Sequence, residues 1–306
     1  GPTPAGSGRP WTVTVALPGS IVENAQTQEL RSYLVGQVAR ACAIFNVDEV
    51  VVFGSTDPPP PDARGRTSSS GAVFMARVLQ YLECPQYLRK QCFPHHPDLR
   101  SVGLIPPLDA PHHLRIDERG SYREAIVQTC EAESCTVYTG LPKELTLKQP
   151  IPVGTRVTVR LPPPGASQKV KPAAVSPREP RERAGMYWGY TVRMARSLSA
   201  VWSECPFDGG YDVSVGTSEH GSDEIGEGTF SMPGFRHLLI VLGGVEGLEP
   251  VVAAEEELAD CDEDVSSLFD HYLNLCPKQG SRTIRTEEAL LVCLTALRPY
   301  IDGANS

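Results

Sequence analysis

Three glycine-bearing loops in the C-terminal third, each set against an apolar run, constrain this chain more than any other feature. The first is Val213-Ser214-Val215-Gly216-Thr217-Ser218. The second is Leu238 to Leu242 followed by Gly243-Gly244-Val245-Glu246-Gly247. The third runs from Pro277 through Gln279, Gly280, Ser281, Arg282 and Ile284 to Thr286. Short aliphatic runs that stop at glycine read as buried strands of a parallel sheet. Ligands of such sheets sit in the crevice outside the strands' carboxyl ends. The loops offer backbone N–H groups and little side-chain bulk, which suits a small adenosine-like molecule. No G-x-x-x-x-G-K-[ST] and no G-x-G-x-x-G follows any strand, so no phosphate cradle is present. The expected cofactor is S-adenosyl-L-methionine, with S-adenosyl-L-homocysteine as product, rather than ATP or NAD.

The rest of the chain supports an α/β class with one interruption. Trp11 to Leu17 reads as a strand, Ala25 to Phe45 as a helix with Leu30, Leu34, Val38 and Ala41 on one side, and Glu49 to Phe53 as a buried strand. This β-α-β opening predicts a parallel pair. Helices are expected over Ala72 to Leu82 and Gln86 to Cys92, and a strand over Val102 to Ile105. After Ala110 the runs Tyr122 to Gln128, Cys135 to Tyr138 and Arg156 to Leu161 are short and β-rich, with Tyr187 to Met194 as a closing strand. They predict a small five-stranded oligonucleotide-binding-like barrel inserted in the α/β domain. The α/β pattern then returns, with a helix at Leu198 to Ser203, strands at Tyr211 to Val215 and His237 to Leu242, and helix within Glu255 to Tyr272. The last helix, Glu287 to Leu297, is capped by Thr286 and stopped by Pro299. The expected division is 9–110, an inserted barrel over 111–189, and 190–306 with the cofactor site.

Composition narrows the function classes. The 306 residues carry a net charge of −9, yet Lys169, Lys171, Arg178, Arg181 and Arg183 cluster in one stretch and are the candidate RNA-binding residues. Nine cysteines without a Cys-x-x-Cys pair argue for reduced thiols, an intracellular home and no structural zinc. Cys130 and Cys135 are expected to be ordinary strand residues. The doublets His95-His96 and His112-His113 lack a ligand pattern, so no metal is expected. No apolar run is long enough to span a membrane, and no secretory signal is visible. The stretch 1–8 reads as a tag remnant or trimmed tail.

Several segments resemble one family in order and spacing. Val35 to Val50, Leu239 to Pro250 and Gln279 to Leu291 are similar to the three motifs of the SPOUT, or α/β-knot, RNA methyltransferases. Pro85 to Lys90 and Gly103 to Asp109 resemble the eukaryotic and archaeal branch with an inserted oligonucleotide-binding barrel. The resemblance covers nearly everything from Trp11 onward. It implies a C-terminal trefoil knot, a bent S-adenosyl-L-methionine held by the third motif, a homodimer through the knot, and methylation of a uridine ring nitrogen in ribosomal RNA. Arg40 matches the first-motif arginine that faces the substrate, while Leu34 stands where some relatives carry Asn. Arg31, Arg285 and Glu219 are the further catalytic candidates. The expected cofactor contacts are Gly216, Thr217, Ser218, Leu242, Gly243 and Gly244. Gly247, Asn274, Pro277, Gln279, Gly280 and Ser281 continue the set, completed by Arg282, Ile284 and Thr286. Leu242 and Ile284 would flank the adenine. Tyr122, Tyr138, Tyr187, Trp188 and Tyr190 are candidates for base stacking or for core packing. A second reading, a non-catalytic RNA-binding scaffold of the spindle or kinetochore that retains a cofactor pocket, stays open on the same resemblance.

Overall fold

The computed structural model describes residues 8–60, 68–167, 170–221, 223–225, 230–261 and 264–305. The chain begins with strand β1 (Thr12–Pro18), helix α1 (Gln28–Ile44), strand β2 (Glu49–Phe53), and helices α2 (Gly71–Glu83) and α3 (Gln86–Cys92). Strands β3 (Tyr122–Glu131), β4 (Ser134–Tyr138), β5 (Leu145–Leu147), β6 (Arg156–Arg160) and β7 (Ala173–Val175) follow, then α4 (Glu179–Ala184). Next come β8 (Thr191–Ala195), α5 (Ser199–Ser203), β9 (Val213–Thr217), β10 (Asp223–Glu224) and β11 (His237–Leu242). The chain closes with α6 (Glu249–Ala253), β12 (His271–Asn274) and α7 (Thr286–Ala304).

Two compact units result. One comprises residues 11–80, 97–108 and 190–306; the other comprises 1–10, 81–96 and 109–189. The first is built on a parallel sheet of order β10-β12-β9-β11-β1-β2-β8. Its inner strands β1, β2 and β11 are buried on both faces, as their continuous aliphatic sequences require. On one face Phe53, Leu198, Leu239, Val241, Leu248 and Phe269 join a single core cluster. Thr27 caps α1 by accepting from the Leu30 N–H at 3.2 Å. The parallel β1–β2 pair predicted from the opening is present.

The second unit is an antiparallel sheet of order β5-β4-β3-β6-β7, curled around Ala125, Val127, Val137, Leu147 and Val159. A bulge between Val127 and Thr129 bends β3. Cys130 and Cys135 face each other across the β3–β4 pair and are disulfide-bonded, contrary to the expectation of two ordinary strand thiols.

Five further expectations need correction. The stretch from Tyr187 does not close the curled sheet. Gly189, at φ +84, interrupts the extended run, and β8 instead pairs with β2. There the Arg193 guanidinium meets the buried Glu49 carboxylate at 3.0 Å, with Tyr211 donating to the same carboxylate at 2.7 Å. Val102–Leu104 forms a 3-10 turn, its local bonds running from Leu104 N to Ser101 O at 3.1 Å and from Ile105 N to Val102 O at 3.2 Å. The helix expected in Glu255 to Tyr272 is broken into two 3-10 turns and strand β12. Asp264 bonds the Ser266 N–H at 3.1 Å and its carbonyl accepts from Ser267 Oγ at 2.7 Å, local bonds that compete with a helix. Finally, α7 runs through Pro299 to Ala304, giving up one backbone bond, and its N-cap is Arg285 rather than Thr286. No helix among the described residues is long and apolar enough to cross a membrane.

Candidate functional site

Strands β12, β9 and β11 lie side by side and parallel, so their carboxyl ends open on one edge. The loops after them, with the first turns of α7, enclose a cavity of about 440 Å3. This is within the range of small-molecule sites, roughly 300–1,000 Å3.

The loop after β11 turns back on itself. Gly244 N donates to Gly247 O and Gly247 N to Gly244 O, both at 3.1 Å. A Cβ on Gly243 would sit 2.3 Å from the Gly247 carbonyl carbon, so only glycine permits this closure. Gly247 itself holds φ +82, in the left-handed region. Thr286 Oγ1, buried at the start of α7, donates to Gly243 O at 3.0 Å and ties the loop to the helix. The loop after β9 is fixed from the other side. Ser218 N donates to Leu273 O at 3.1 Å, and Asn274 Nδ2 to Glu219 O at 3.0 Å. Gln279 Nε2 reaches Glu219 Oε2 at 3.2 Å.

The lining is apolar at Leu242, Leu273, Ile284 and Val292 and acidic at Glu219, Glu246 and Glu249. None of the described lining residues is Lys or Arg. Tyr272 Oη donates to Glu249 Oε1 at 3.3 Å, and burial, reinforced by the Glu249 charge, pushes the phenol up to about 12. The phenol therefore stays a donor at neutral pH. Burial likewise raises the Cys293 thiol, which lines the cavity in its neutral form.

Ten expected cofactor residues line this cavity: Thr217, Ser218, Leu242, Gly243, Gly244 and Gly247, with Asn274, Gln279, Ile284 and Thr286. Five do not. Gly216 faces the rings of Phe269 and Tyr272, where a Cβ would come within 2.5 Å, so its smallness serves core packing. Pro277, Gly280, Ser281 and Arg282 lie outside the lining, although Ser281 Oγ shapes the third loop by donating to Thr283 O at 2.7 Å. Of the catalytic candidates only Glu219 lines the cavity. Arg40 Nη1 donates to Leu108 O at 2.6 Å, and Arg31 Nε to Ala25 O at 3.5 Å. Arg285 pairs with Glu287 at 2.7 Å at the start of α7. Sequence reasoning missed His220, Glu246, Glu249, Leu273, Thr283 and Val292. Glu246 and Glu249 stood inside the second motif but were not singled out as site residues.

In the second unit, Lys171, Arg178 and Arg183 are exposed, Lys169 lies outside the described residues, and Arg181 is 8% exposed and pairs with Glu182 at 3.2 Å. Tyr122, Tyr187 and Trp188 are buried there, and in the first unit Tyr190 is buried too, so these four are packing residues; Tyr138 is half-buried. Trp188 Nε1 donates to Glu124 Oε1 at 2.7 Å. Glu124 also accepts from Arg156 Nε at 2.6 Å, and Arg156 Nη1 reaches Glu83 at 2.7 Å. Burial works to raise the Glu83 carboxyl, but the Arg156 charge and His112 override it and hold it at about 2. His113 donates to Glu83 O at 2.7 Å, and its burial, aided by His112, pushes it down to about 3. This polar network fixes the unit and was not read from the sequence. Among the described residues no cluster of His, Cys, Asp or Glu has the geometry to hold a metal.

The family model described as "Putative RNA methyltransferase" matches residues 12–297. The chain belongs to that family. It is similar to the Homo sapiens protein named 28S rRNA (uridine-N(3))-methyltransferase, at 50% identity over 98% of this chain and 81% of that one. The Mus musculus protein of the same name is 49% identical over 98% of this chain and 79% of its own. The Drosophila melanogaster one is 46% identical over 96% of this chain and 63% of its own.

Proposed function

We propose that this chain is an S-adenosyl-L-methionine-dependent methyltransferase acting on N3 of a uridine in large-subunit ribosomal RNA. The observation that carries the cofactor is the charge of the cavity: three carboxylates and, among the described lining residues, no cation. A polyphosphate nucleotide would meet repulsion there. A sulfonium carrying an α-ammonium group meets opposite charge, and desolvation strengthens that attraction. The apolar Leu242 and Ile284 suit an adenine ring, and the backbone of the Gly243–Gly247 turn suits its polar edge. The family and the names of the relatives at about 50% identity support RNA as acceptor and uridine N3 as the atom.

When bound, S-adenosyl-L-methionine supplies an electrophilic methyl group. The protein's own part is positioning, which carries much of the rate in a transfer between two bound partners. Arg40 is the candidate to hold the base, since a permanently charged guanidinium with two parallel donors stabilises a developing imide anion. Lys171, Arg178 and Arg183 would grip phosphates. The chain would act as a homodimer through its C-terminal, knotted region, in an intracellular compartment that holds ribosomal RNA.

The test is calorimetry with S-adenosyl-L-homocysteine on the full chain and on Gly244→Arg. The nearest atom to a Cβ at Gly244 is 4.0 Å away and Gly244 lines the cavity, so a side chain there is expected to be tolerated by the backbone and to bring its charge to the site; circular dichroism checks that the variant is folded. The account expects micromolar binding, about −8 kcal/mol, abolished in the variant. Equal binding by both proteins would remove the cavity from the proposal. Arg40→Ala is expected to lose methyl transfer while leaving cofactor affinity unchanged.

A further inference from the structure

We infer that His220, oriented by Glu219 and Gln279, is the base that removes the N3 proton of the acceptor during methyl transfer. The inference rests on the methyl-transfer reading above. Its grounds are a three-residue chain at the edge of the cavity. Gln279 Nε2 donates to Glu219 Oε2 at 3.2 Å and to Ser281 O at 3.1 Å, so the amide is itself fixed. The other carboxylate oxygen, Oε1, stands 3.7 Å from His220 Nε2, longer than a hydrogen bond in the free chain and within the reach that tightens when a site is loaded. A base oriented by a carboxylate, itself held by a third group, is the arrangement that recurs where a proton must be taken.

The backbone keeps this chain in place. His220 N donates to Ser218 Oγ at 3.1 Å and Gly221 N to Ser218 O at 3.2 Å. Gly221 presses on the end of β12, where its Cβ would lie 2.3 Å from Asn274 N. Asn274 in turn holds the Glu219 carbonyl. His220 thus lines the cavity while its side chain remains 79% exposed. The side chain borders both the cavity and solvent, the side from which an RNA base and the water that finally takes the proton would reach it. The titratable group beside it is Glu219 from its own loop; Glu246 from the loop after β11, Glu249 at the start of α6 and Cys276 beyond β12 line the same cavity.

The step balances without a further reagent. The imide N3–H passes its proton to the imidazole, and the N3 electron pair forms the new N–C bond. The C–S bond breaks with its electrons left on sulfur, giving a neutral thioether, and the imidazolium returns its proton to water. An imidazole is a better match to an imide than a carboxylate is, because general-base efficiency follows basicity. His220 would be the catalytic residue and Glu219 a positioning residue.

The experiment compares wild type, His220→Gln, His220→Ala and Glu219→Gln on ribosomal RNA, with S-adenosyl-L-homocysteine affinity by calorimetry and RNA affinity by filter binding. The inference expects kcat to fall about 100-fold or more in His220→Gln. In His220→Gln, KM, cofactor affinity and RNA affinity stay unchanged; Glu219→Gln loses about tenfold in kcat at saturating cofactor and also binds the cofactor more weakly, because its carboxylate is one of the three that line the cavity. Free imidazole should restore part of the His220→Ala rate and none of any rate lost in Arg40→Ala. A His220→Gln rate within threefold of wild type overturns the inference alone. So does a His220→Gln rate loss matched by lost cofactor or RNA affinity. If wild type binds the cofactor analogue but transfers no methyl group, the methyltransferase reading fails and this inference with it.

Discussion

Gly243→Ala puts one methyl group against backbone in the cavity wall. An ideal Cβ there lies 2.3 Å from the Gly247 carbonyl carbon and 2.5 Å from its oxygen. Both are backbone atoms, so no rotamer change relieves the contact. Overpacking of this kind costs about 1–3 kcal/mol. The cheapest escape is to open the turn, which gives up the two mutual Gly244–Gly247 bonds at about 1 kcal/mol each. A ligand that needs the closed turn then binds weaker by about 2 kcal/mol, roughly 30-fold. Gly244→Ala is the internal control: its nearest neighbour, Pro18 Cγ, is 4.0 Å away, and stability should change by less than about 0.5 kcal/mol. Calorimetry with S-adenosyl-L-homocysteine and chemical denaturation read the two effects separately. Wild-type affinity and stability in Gly243→Ala would refute the claim that this closure shapes the site.

Thr286→Val removes the donor to Gly243 O, leaving that carbonyl short of a partner; it should cost about 1–2 kcal/mol in urea denaturation and weaken cofactor binding in parallel. Acid should destabilise the curled-sheet unit in two stages. His113, pushed down to about 3 from 6.5, contributes fully above pH 6.5 and loses that contribution as pH falls toward 3. Glu83, held at about 2 against 4.5, contributes fully above pH 4.5 and loses it as pH falls toward 2. The urea midpoint should therefore fall between pH 7 and pH 4, and His113→Asn should narrow that fall; an unchanged difference between the two pH values would contradict it.

Much of the α/β frame was legible because its strands carry unmistakable runs. Leu238 to Leu242 and Glu49 to Phe53 are apolar on both faces and end in turns, and their strands fall where the sequence put them. Strand β12 was hidden because His271 to Asn274 is four residues long and follows acidic turns that mimic a helix. Tyr187 to Met194 misled because its aromatic content resembles a strand. The conformation of Gly189 and the pull of Glu49 on Arg193 are tertiary facts. At the site, the small residues Gly243, Gly244 and Gly247 announced the second loop. The carboxylates Glu246 and Glu249 did not announce themselves, since acidic loop residues are ordinarily solvated. Gly216 shows the opposite error, a loop glycine whose neighbours turn out to be Phe269 and Tyr272.

The most direct test of the account is transfer of a labelled methyl group from S-adenosyl-L-methionine to large-subunit ribosomal RNA, followed by digestion to nucleosides. The account predicts label in 3-methyluridine, lost in Gly244→Arg. Label confined to another nucleoside or to a ribose hydroxyl, or no label from a protein that binds both cofactor and RNA, would contradict it.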